Sequence, residues 1–229
     1  MQRLEVQPQL VERVYAAILD AICTGQLAPG ERITQDGLAD TLAVSRQPVL
    51  QALLLLKTQG FVRDTGRRGL VVAPLDPVSV QRLYQIRGVL DGLAAREAAR
   101  HRDAAATARG AALIADGRAA ARARDTARLI QADLDFHRFL YELSGNPLIA
   151  ESAALHWQHI RRIMGAVLRS ETALDHIWDE HEAILAAIAD GDAARAERCA
   201  RAHAEDAARM LAAELAARSA EPAAARRSA

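Results

Sequence analysis

The sequence predicts a mainly α-helical protein that combines a small N-terminal module with a C-terminal all-helical antiparallel bundle. Hydrophobic residues make up 51% of the 229 residues, whereas aromatic residues make up only 3%. Much of the apolar content is alanine, which favours helix over strand. The C-terminal two-thirds alternates alanine-rich and charged segments and has almost no β-branched runs, so we interpret it as entirely helical.

The central feature of the N-terminal module is a pair of short helices joined by a tight turn, within residues 38–60. Ser45 is expected to cap the second helix with its hydroxyl, and Pro48 falls in the first turn, where a missing N–H is harmless. Apolar residues at helical spacing predict one buried face: Val49, Ala52, Leu53 and Leu56. Arg46 and Gln47 begin the other face, at the end that enters the major groove in a helix-turn-helix. An ordinary helical hairpin is the alternative.

The segments on either side extend this pair of helices into a larger motif. Upstream, residues 11–22 repeat with helical period, and Thr34 can cap the next helix. Downstream, the β-prone runs 61–64 and 70–72 are joined by residues 65–69, a turn that carries two arginines. Three helices and such a hairpin predict a winged helix-turn-helix.

The charge of the chain is balanced overall, and a local basic excess lies in this module. Lys and Arg number 29, as do Asp and Glu, so the formal net charge is zero and gives no general argument for nucleic acid. Residues 45–68 contain five basic residues and one acid, Asp64, which gives a net charge of about +4 and suits contact with phosphates. The basic residues are Arg46, Lys57, Arg63, Arg67 and Arg68. For Arg67 and Arg68, a solvated basic turn is the alternative.

The module resembles the GntR family of bacterial transcription regulators. The matching residues are Pro29-Gly30-Glu31-Arg32, Leu38-Ala39, Val44-Ser45-Arg46, Pro48-Val49, Ala52-Leu53, Gly60-Phe61-Val62 and Gly69. The resemblance implies operator binding, with the recognition helix in the major groove and the wing against the minor groove or the backbone. The DNA-binding residues that it implies are Ser45, Arg46 and Gln47 in the helix and Arg67, Arg68 and Gly69 in the wing.

Two positions depart from the family pattern. The family often carries arginine where this chain has Asp36 and Leu50. A bidentate contact between arginine and guanine discriminates against the wrong base by about 1–3 kcal/mol, and neither residue can make one. The operator sequence therefore cannot be copied from relatives. Specificity is expected to depend on Arg46, Gln47, the wing and DNA shape.

The chain shows no sequence feature of secretion or of membrane insertion. Cys23 and Cys199 are far apart and form no metal or redox motif. We find no signal peptide and no apolar run long enough to span a bilayer. A cytoplasmic location without a membrane partner is expected.

Two prolines in the segment 73–77 mark the expected boundary between a DNA-binding domain, residues 1–75, and a helical domain, residues 76–218. The low-complexity tail, residues 219–229, is expected to be disordered. Six helices are predicted in the second domain, at roughly 77–102, 104–123, 126–144, 147–170, 173–190 and 192–218.

Polar residues interrupt the apolar faces of three of these helices. Asp133 and His137 are four residues apart and share a stripe with apolar neighbours, and His181 and His203 lie within the apolar faces of the last two helices. A buried Asp or His costs free energy unless it is paired or coordinated. Three imidazoles and one carboxylate suit a divalent transition metal such as zinc, nickel or manganese. Hydrogen-bonded core histidines, or exposed faces that only look apolar, are the alternatives.

The second domain resembles the FCD ligand-binding domain of the FadR-type GntR branch, and six helices rather than seven would place it nearer the VanR-like subgroup. The resemblance is carried by Asp133-Leu134-Asp135-Phe136-His137, Ser144-Gly145-Asn146-Pro147, Glu180-His181-Glu182-Ala183-Ile184, Gly191-Asp192-Ala193 and His203. It implies that the Asp and the three His residues hold a divalent metal. It further implies a small carboxylate effector bound to that metal.

The resemblance also supplies residues for the effector. Arg87, on the first helix of the domain, matches an arginine that clamps the effector carboxylate, and its helical spacing allows it to face inward. An ion pair with Asp91, four residues further on, is the alternative use of this arginine. Arg162 is assigned as a second cationic contact, with Arg161 as the alternative, and Asn146 is assigned to the same site.

These inferences combine into a metal-dependent transcription regulator that binds a pseudo-palindromic operator as a homodimer and responds to a small carboxylate. Effector binding would shift the protein between DNA-competent and incompetent states. A repressor is the default, because in most relatives of this kind the effector releases DNA. Two alternatives stay open: a metal-dependent enzyme acting on a small organic acid, and a regulator whose metal is purely structural.

Overall fold

The computed structural model describes residues 8–66, 69–101, 104–168 and 175–220. The chain divides into two compact units within the proline-containing segment, Met1–Leu75 and Asp76–Ala229. Within the described ranges, the helices are all too short or too polar to cross a membrane.

The first unit contains three helices and a three-stranded antiparallel sheet among its described residues. In chain order its elements are α1 (Pro8–Thr24), β1 (Arg32–Ile33), α2 (Gln35–Leu42), α3 (Arg46–Thr58), β2 (Val62–Asp64) and β3 (Leu70–Val72). The strand order is β1-β3-β2, with Val62 opposite Val72 and Ile33 opposite Leu70. This is the predicted winged helix-turn-helix, extended by one strand, β1, that was not predicted.

The core of the first unit follows the apolar pattern of the sequence. The predicted face of α3 is buried, and Val49, Ala52 and Leu56 are completely inaccessible. They pack in one cluster with Ile18 of α1 and with Phe61, which precedes β2. Burial of this face fixes which side of α3 remains outside.

The turn before α3 differs from the prediction in one contact. Ser45 occupies the N-cap position, but its hydroxyl makes no capping hydrogen bond. Because Ser45 is exposed, water can satisfy the first N–H groups of α3, and the missing cap carries no burial penalty. The start of α3 is tied to α2 by a hydrogen bond from Nε2 of Gln35 to the carbonyl of Arg46, at 2.7 Å. The Thr34 hydroxyl caps α2 as predicted, accepting from the N–H of Gly37.

The described part of the second unit is built from six helices. They are α4 (Pro77–Arg100), α5 (Ala104–Ala123), α6 (Thr126–Leu143), α7 (Pro147–Val167), α8 (Asp175–Asp190) and α9 (Ala193–Ala220). Each of the six predicted helices is present, with ends displaced by a few residues at most. The last helix continues to Ala220, so the expected tail begins in helix, and residues 221–229 lie outside the described residues.

Small residues bring α4 and α9 close together. A Cβ atom built on Gly88 would lie 3.4 Å from Cβ of Ala204, and one built on Gly92 would lie 2.9 Å from Cγ of Arg201. Buried alanines continue both helices beyond this point: Ala94, Ala95, Ala98 and Ala99 in α4, and Ala196 and Ala200 in α9. The alanine-rich composition thus serves close helix packing as well as helix propensity.

Replacement of Gly117 by alanine is expected to destabilise the second unit. Gly117 of α5 lies against Trp178 of α8, which is 1% exposed, and an added Cβ would lie 2.0 Å from the indole ring. Alanine gains about 1 kcal/mol of helix propensity over glycine, but overpacking of a rigid buried ring costs about 1–3 kcal/mol or more. Chemical unfolding followed by circular dichroism measures the difference.

The matched control is Gly88→Ala, a buried helical glycine where the added atom would lie 3.4 Å from Cβ of Ala204, at the short end of van der Waals contact. This variant should unfold at a denaturant concentration equal to or above that of the wild type. Equal stability of the Gly117→Ala variant and the wild type would contradict the packing described for α5 and α8.

Candidate functional site

Three helices of the second unit bring four potential metal ligands to one buried point. Asp133 and His137 come from α6, His181 from α8 and His203 from α9. Each offers one ligand atom, and these atoms lie within 4.8 Å of one another. All four residues are buried. The structure therefore brings together the four residues that the sequence analysis assigned to a metal.

The donor atoms of this ligand cluster point toward one another. Nε2 of His181 lies 3.3 Å from Nε2 of His137 and 3.4 Å from Oδ1 of Asp133. Oδ2 of Asp133 is buried without a hydrogen-bond donor in the described part of the chain. Such a set of three imidazole nitrogens and one carboxylate oxygen fits zinc, nickel or manganese, because these ions accept both kinds of donor.

Carboxylates outside the cluster lie beside two of the imidazoles. Oε2 of Glu180 lies 2.7 Å from Nδ1 of His203, and Oδ2 of Asp91 lies 3.2 Å from Nδ1 of His137. A proton on Nδ1 of His203, donated to Glu180, leaves the lone pair of Nε2 directed into the cluster, which is the usual outer-shell arrangement of metal-binding histidines. Nδ1 of His137 is close to Asp91 but makes no hydrogen bond among the described residues. Packing orients the third ring, since His181 lies between Phe136 and Trp178, with ring centroids 4.4 and 4.8 Å away.

Burial and local charge keep the imidazoles of His137 and His181 neutral. Desolvation lowers the pKa of His137, and the nearby Arg87 guanidinium lowers it further. Desolvation likewise brings the pKa of His181 well below its ordinary value, with contributions from His203, His137 and Arg87. Neutral imidazole is the form that coordinates metal ions, so these two rings need not lose a proton before a metal binds.

A buried guanidinium adjoins the ligand cluster. Nε of Arg87 lies 3.1 Å from Oδ2 of Asp91, while Nη2 donates to Nε2 of His137 at 2.5 Å and lies 3.6 Å from Oδ2 of Asp133. Arg87 therefore faces inward, as its helical spacing allowed, and it makes the alternative ion pair with Asp91. Its contact with an effector stays a prediction. Burial alone would lower the pKa of Arg87, but Tyr84 and the two carboxylates raise it, so the group stays charged.

Aromatic residues enclose this guanidinium, and the sequence analysis did not assign them. Cζ of Arg87 lies 4.6 Å from the Trp157 ring centroid and 5.0 Å from that of Tyr84, within cation–π range. Tyr141 donates its hydroxyl to Oδ1 of Asp91. A signal for Tyr141 was present, since it follows His137 by four residues on the same face of α6. Trp157 lies on another helix, and its position depends on tertiary packing.

Arg162 and Asn146, the other two residues assigned to the effector, differ from each other in their surroundings. Arg162 is buried in α7, whereas its neighbour Arg161 is half-buried. Burial favours Arg162 as the inward-facing cation of the two. Oδ1 of Asn146 accepts from the N–H of Leu148 at 3.1 Å and caps α7. This oxygen already has a structural function, and an effector contact by Asn146 stays a prediction.

The first unit presents a second candidate site at the start of α3. Ser45, Arg46 and Gln47 are all exposed there, and Asp36 of α2 lies beside them. We call these four residues the recognition surface. Gly69 precedes β3 at the end of the wing turn. Arg67 and Arg68, predicted for the same turn, lie outside the described residues.

A winged helix-turn-helix joined to an all-helical unit with a buried ligand cluster defines the class of helix-turn-helix transcriptional regulators. The particular family follows from comparison with known domains. Residues 10–72 match the GntR family of bacterial regulatory proteins, and residues 82–206 match the FCD domain. The chain belongs to the GntR family and carries an FCD domain.

Individual relatives agree with this assignment. The chain is 28% identical over 221 residues to the HTH-type transcriptional repressor NanR of Klebsiella aerogenes, covering 85% of this chain and 82% of NanR. A helix-turn-helix regulator of Mycobacterium tuberculosis is 33% identical over 88 residues, and the chain spans 36% of its length. The solved structure of McbR/YncC of E. coli has the same fold, with a TM-score of 0.75 at 20% identity over 88% of this chain and 96% of that one. The names of both sequence relatives describe transcriptional regulators.

Proposed function

We propose that the chain binds operator DNA through its winged helix-turn-helix and that a small carboxylate, bound at a metal in the second unit, controls this binding. The four-residue ligand cluster carries the proposal, because its donor atoms converge and Glu180 orients the outer nitrogen of His203. Asp133, His137, His181 and His203 would hold zinc, nickel or manganese. A metal held there supplies a Lewis-acidic coordination point for a carboxylate oxygen.

Arg87 supports a carboxylate as the effector. Its guanidinium is a buried, permanently charged fork within reach of the ligand cluster. Arginine pairs with carboxylates through two parallel hydrogen bonds, which fixes the orientation of the anion as well as its charge. An effector carboxylate would compete with Asp91 and Asp133 for this fork. The buried Arg162 is the second cation that we assign to the effector.

Control of DNA binding follows from the way the site is assembled. Its residues come from α4, α6, α8 and α9, so a ligand that changes their contacts changes the packing of four helices. We infer that this packing shifts the equilibrium between DNA-competent and incompetent states, for which a coupling of about 1–3 kcal/mol suffices. Repression is the default direction, and the name of NanR describes that relative as a repressor.

A homodimer completes the proposed function. Each recognition surface is small and its unit has only a modest excess of basic charge. Two symmetric copies contacting two half-sites double the contacts without enlarging the module. A pseudo-palindromic operator follows from this symmetry.

A regulator with a purely structural metal is the second candidate. It is favoured by one observation: Arg87 is already paired with Asp91 and contacts Asp133, so it has partners without any effector. In this alternative the cluster stabilises the fold, and DNA binding does not depend on small acids.

Replacement of Arg87 distinguishes the two candidates. A thermal-shift screen of small carboxylates against metal-loaded protein is expected to identify acids that stabilise the wild type. Arg87→Ala should weaken their binding about tenfold or more, because a charge-assisted hydrogen bond contributes about 1.5–3 kcal/mol. Arg87→Lys, which keeps the charge but not the fork, should also bind more weakly and guards against misfolding of the alanine variant.

Arg82→Ala is the matched control, since it removes an exposed arginine from the same helix. It should respond to acids as the wild type does. If no acid stabilises the wild type more than Arg87→Ala while metal remains bound, the effector proposal fails and the structural metal is retained.

A further inference from the structure

The recognition surface contains an acidic residue next to its principal cation. Oδ1 of Asp36, in the first turn of α2, lies 2.9 Å from Nε of Arg46, the first residue of α3. The two side chains are 61% and 71% exposed. An ion pair that is so exposed contributes little to stability. It also places a negative charge where the phosphates of DNA are expected, so its presence needs a reason other than folding.

The atoms involved leave part of the arginine available for DNA. Arginine carries five N–H donors, one on Nε and four on the two terminal nitrogens. The ion pair joins Asp36 to Nε, which leaves the terminal nitrogens as donors for DNA. A pair of such donors matches O6 and N7 of guanine in the major groove. Holding the side chain at Nε therefore directs its terminal edge without occupying it.

The backbone of Arg46 is held by Gln35, the residue that precedes Asp36 in α2. Nε2 of Gln35 donates to the Arg46 carbonyl at 2.7 Å. Consecutive residues of α2 thus fix both the main chain and the side chain of Arg46. From the sequence alone, Asp36 is only the loss of an arginine that the family often carries at this position.

We propose that Asp36 is a positioning residue that makes Arg46 selective for guanine. Its carboxylate orders the guanidinium before DNA arrives, and its charge weakens binding that depends on phosphates alone. Both effects raise the ratio of specific to non-specific affinity. The inference rests on the proposed operator binding and adds to it the residue that sets base preference.

A merely structural role makes a different prediction. Asp36 is the acidic residue in the first turn of α2, where a negative charge interacts favourably with the helix dipole. Loss of that interaction would lower stability slightly and would not change which base is preferred. Base preference is therefore the informative measurement.

The test is selection of bound sequences from a randomised double-stranded DNA library by the full-length protein. Selection by the wild type should enrich symmetric half-sites that contain a guanine at one position. Selection by Arg46→Ala should not enrich guanine at that position. Asp36→Asn should reduce preference for that guanine about fivefold or more, the lower end expected for a bidentate contact. The same variant should bind a duplex of unrelated sequence about twofold more tightly at fixed salt, because a repulsive charge is gone.

Asp40→Asn is the matched control, because Asp40 is exposed one turn further along α2 and the substitution changes the charge equally. It should strengthen non-specific binding similarly and leave guanine preference intact. The assignment of Asp36 would be overturned if Asp36→Asn kept the guanine preference of the wild type, or if Asp40→Asn lost as much of that preference as Asp36→Asn. Either result would leave operator binding in place. Enrichment of no sequence by the wild type would refute operator binding and the inference together.

Discussion

Replacement of His181 by alanine is expected to abolish stoichiometric metal binding and most of the stability that the metal provides. His181 contributes one of four converging donors, and its Nε2 is the atom nearest to both His137 and Asp133 in the cluster. A ligand present at a thousandfold its dissociation constant stabilises the folded state by about 4 kcal/mol. Elemental analysis of untagged protein measures the metal, and thermal unfolding with and without a chelator measures its contribution.

The chelator separates metal loss from the loss of the side chain itself. In chelator, the wild type and His181→Ala should differ only by the cavity that the missing imidazole leaves among Phe136 and Trp178. His176→Ala, which removes an exposed histidine from the same helix, should keep its metal. Metal content near zero in reconstituted wild-type protein would reject the site.

Replacement of Arg46 by alanine is expected to eliminate operator binding at concentrations where the wild type is saturated. A bidentate arginine contact is worth about 1–3 kcal/mol, and the proposed homodimer would lose two of them. The affinity should therefore fall roughly 30-fold to 20,000-fold, for a loss of about 2–6 kcal/mol. Gel shifts or fluorescence anisotropy with a selected operator measure the change, and its salt dependence shows how many phosphate contacts remain.

Lys57→Ala provides the comparison for this experiment. Lys57 lies in the last turn of the same helix, is half exposed at 45%, and pairs with Asp64 of β2. Its removal takes away one positive charge without touching the recognition surface, so binding should weaken modestly and similarly for all sequences. Unchanged operator binding in Arg46→Ala would show that another element recognises the DNA.

The helices and the ligand cluster were predictable because both depend on local periodicity. Long amphipathic helices repeat their apolar residues many times. This repetition predicted the ends of all six helices of the second unit to within a few residues. The polar interruptions at Asp133, His137, His181 and His203 share the same period as the buried residues around them. Where a polar group has a fixed place in an apolar stripe, its burial follows from its neighbours.

What the sequence did not reveal depends on contacts between distant segments. The strand β1 has two residues, too few for a period, and is defined by its pairing with β3. The missing capping hydrogen bond of Ser45 and the ion pair between Asp36 and Arg46 depend on how α2 packs against α3. Trp157 of α7 contacts Arg87 of α4, and this contact depends on how the two helices pack. Residue types alone do not encode these distances.

The glycines of α4 also affect how relatives should be compared. Gly88 and Gly92, which set the approach to α9, directly follow Arg87 and Asp91, which extend toward His203 and His137. The gap between the two helices therefore determines how far the guanidinium extends beyond the ligands. If the proposed function holds, a homologue with all four proposed ligands but side chains larger than alanine at positions 88 and 92 would hold its arginine at another depth, and we expect it to select acids of another length. Alignments used to transfer effector identity between family members should therefore weigh these two apolar positions alongside the ligands themselves.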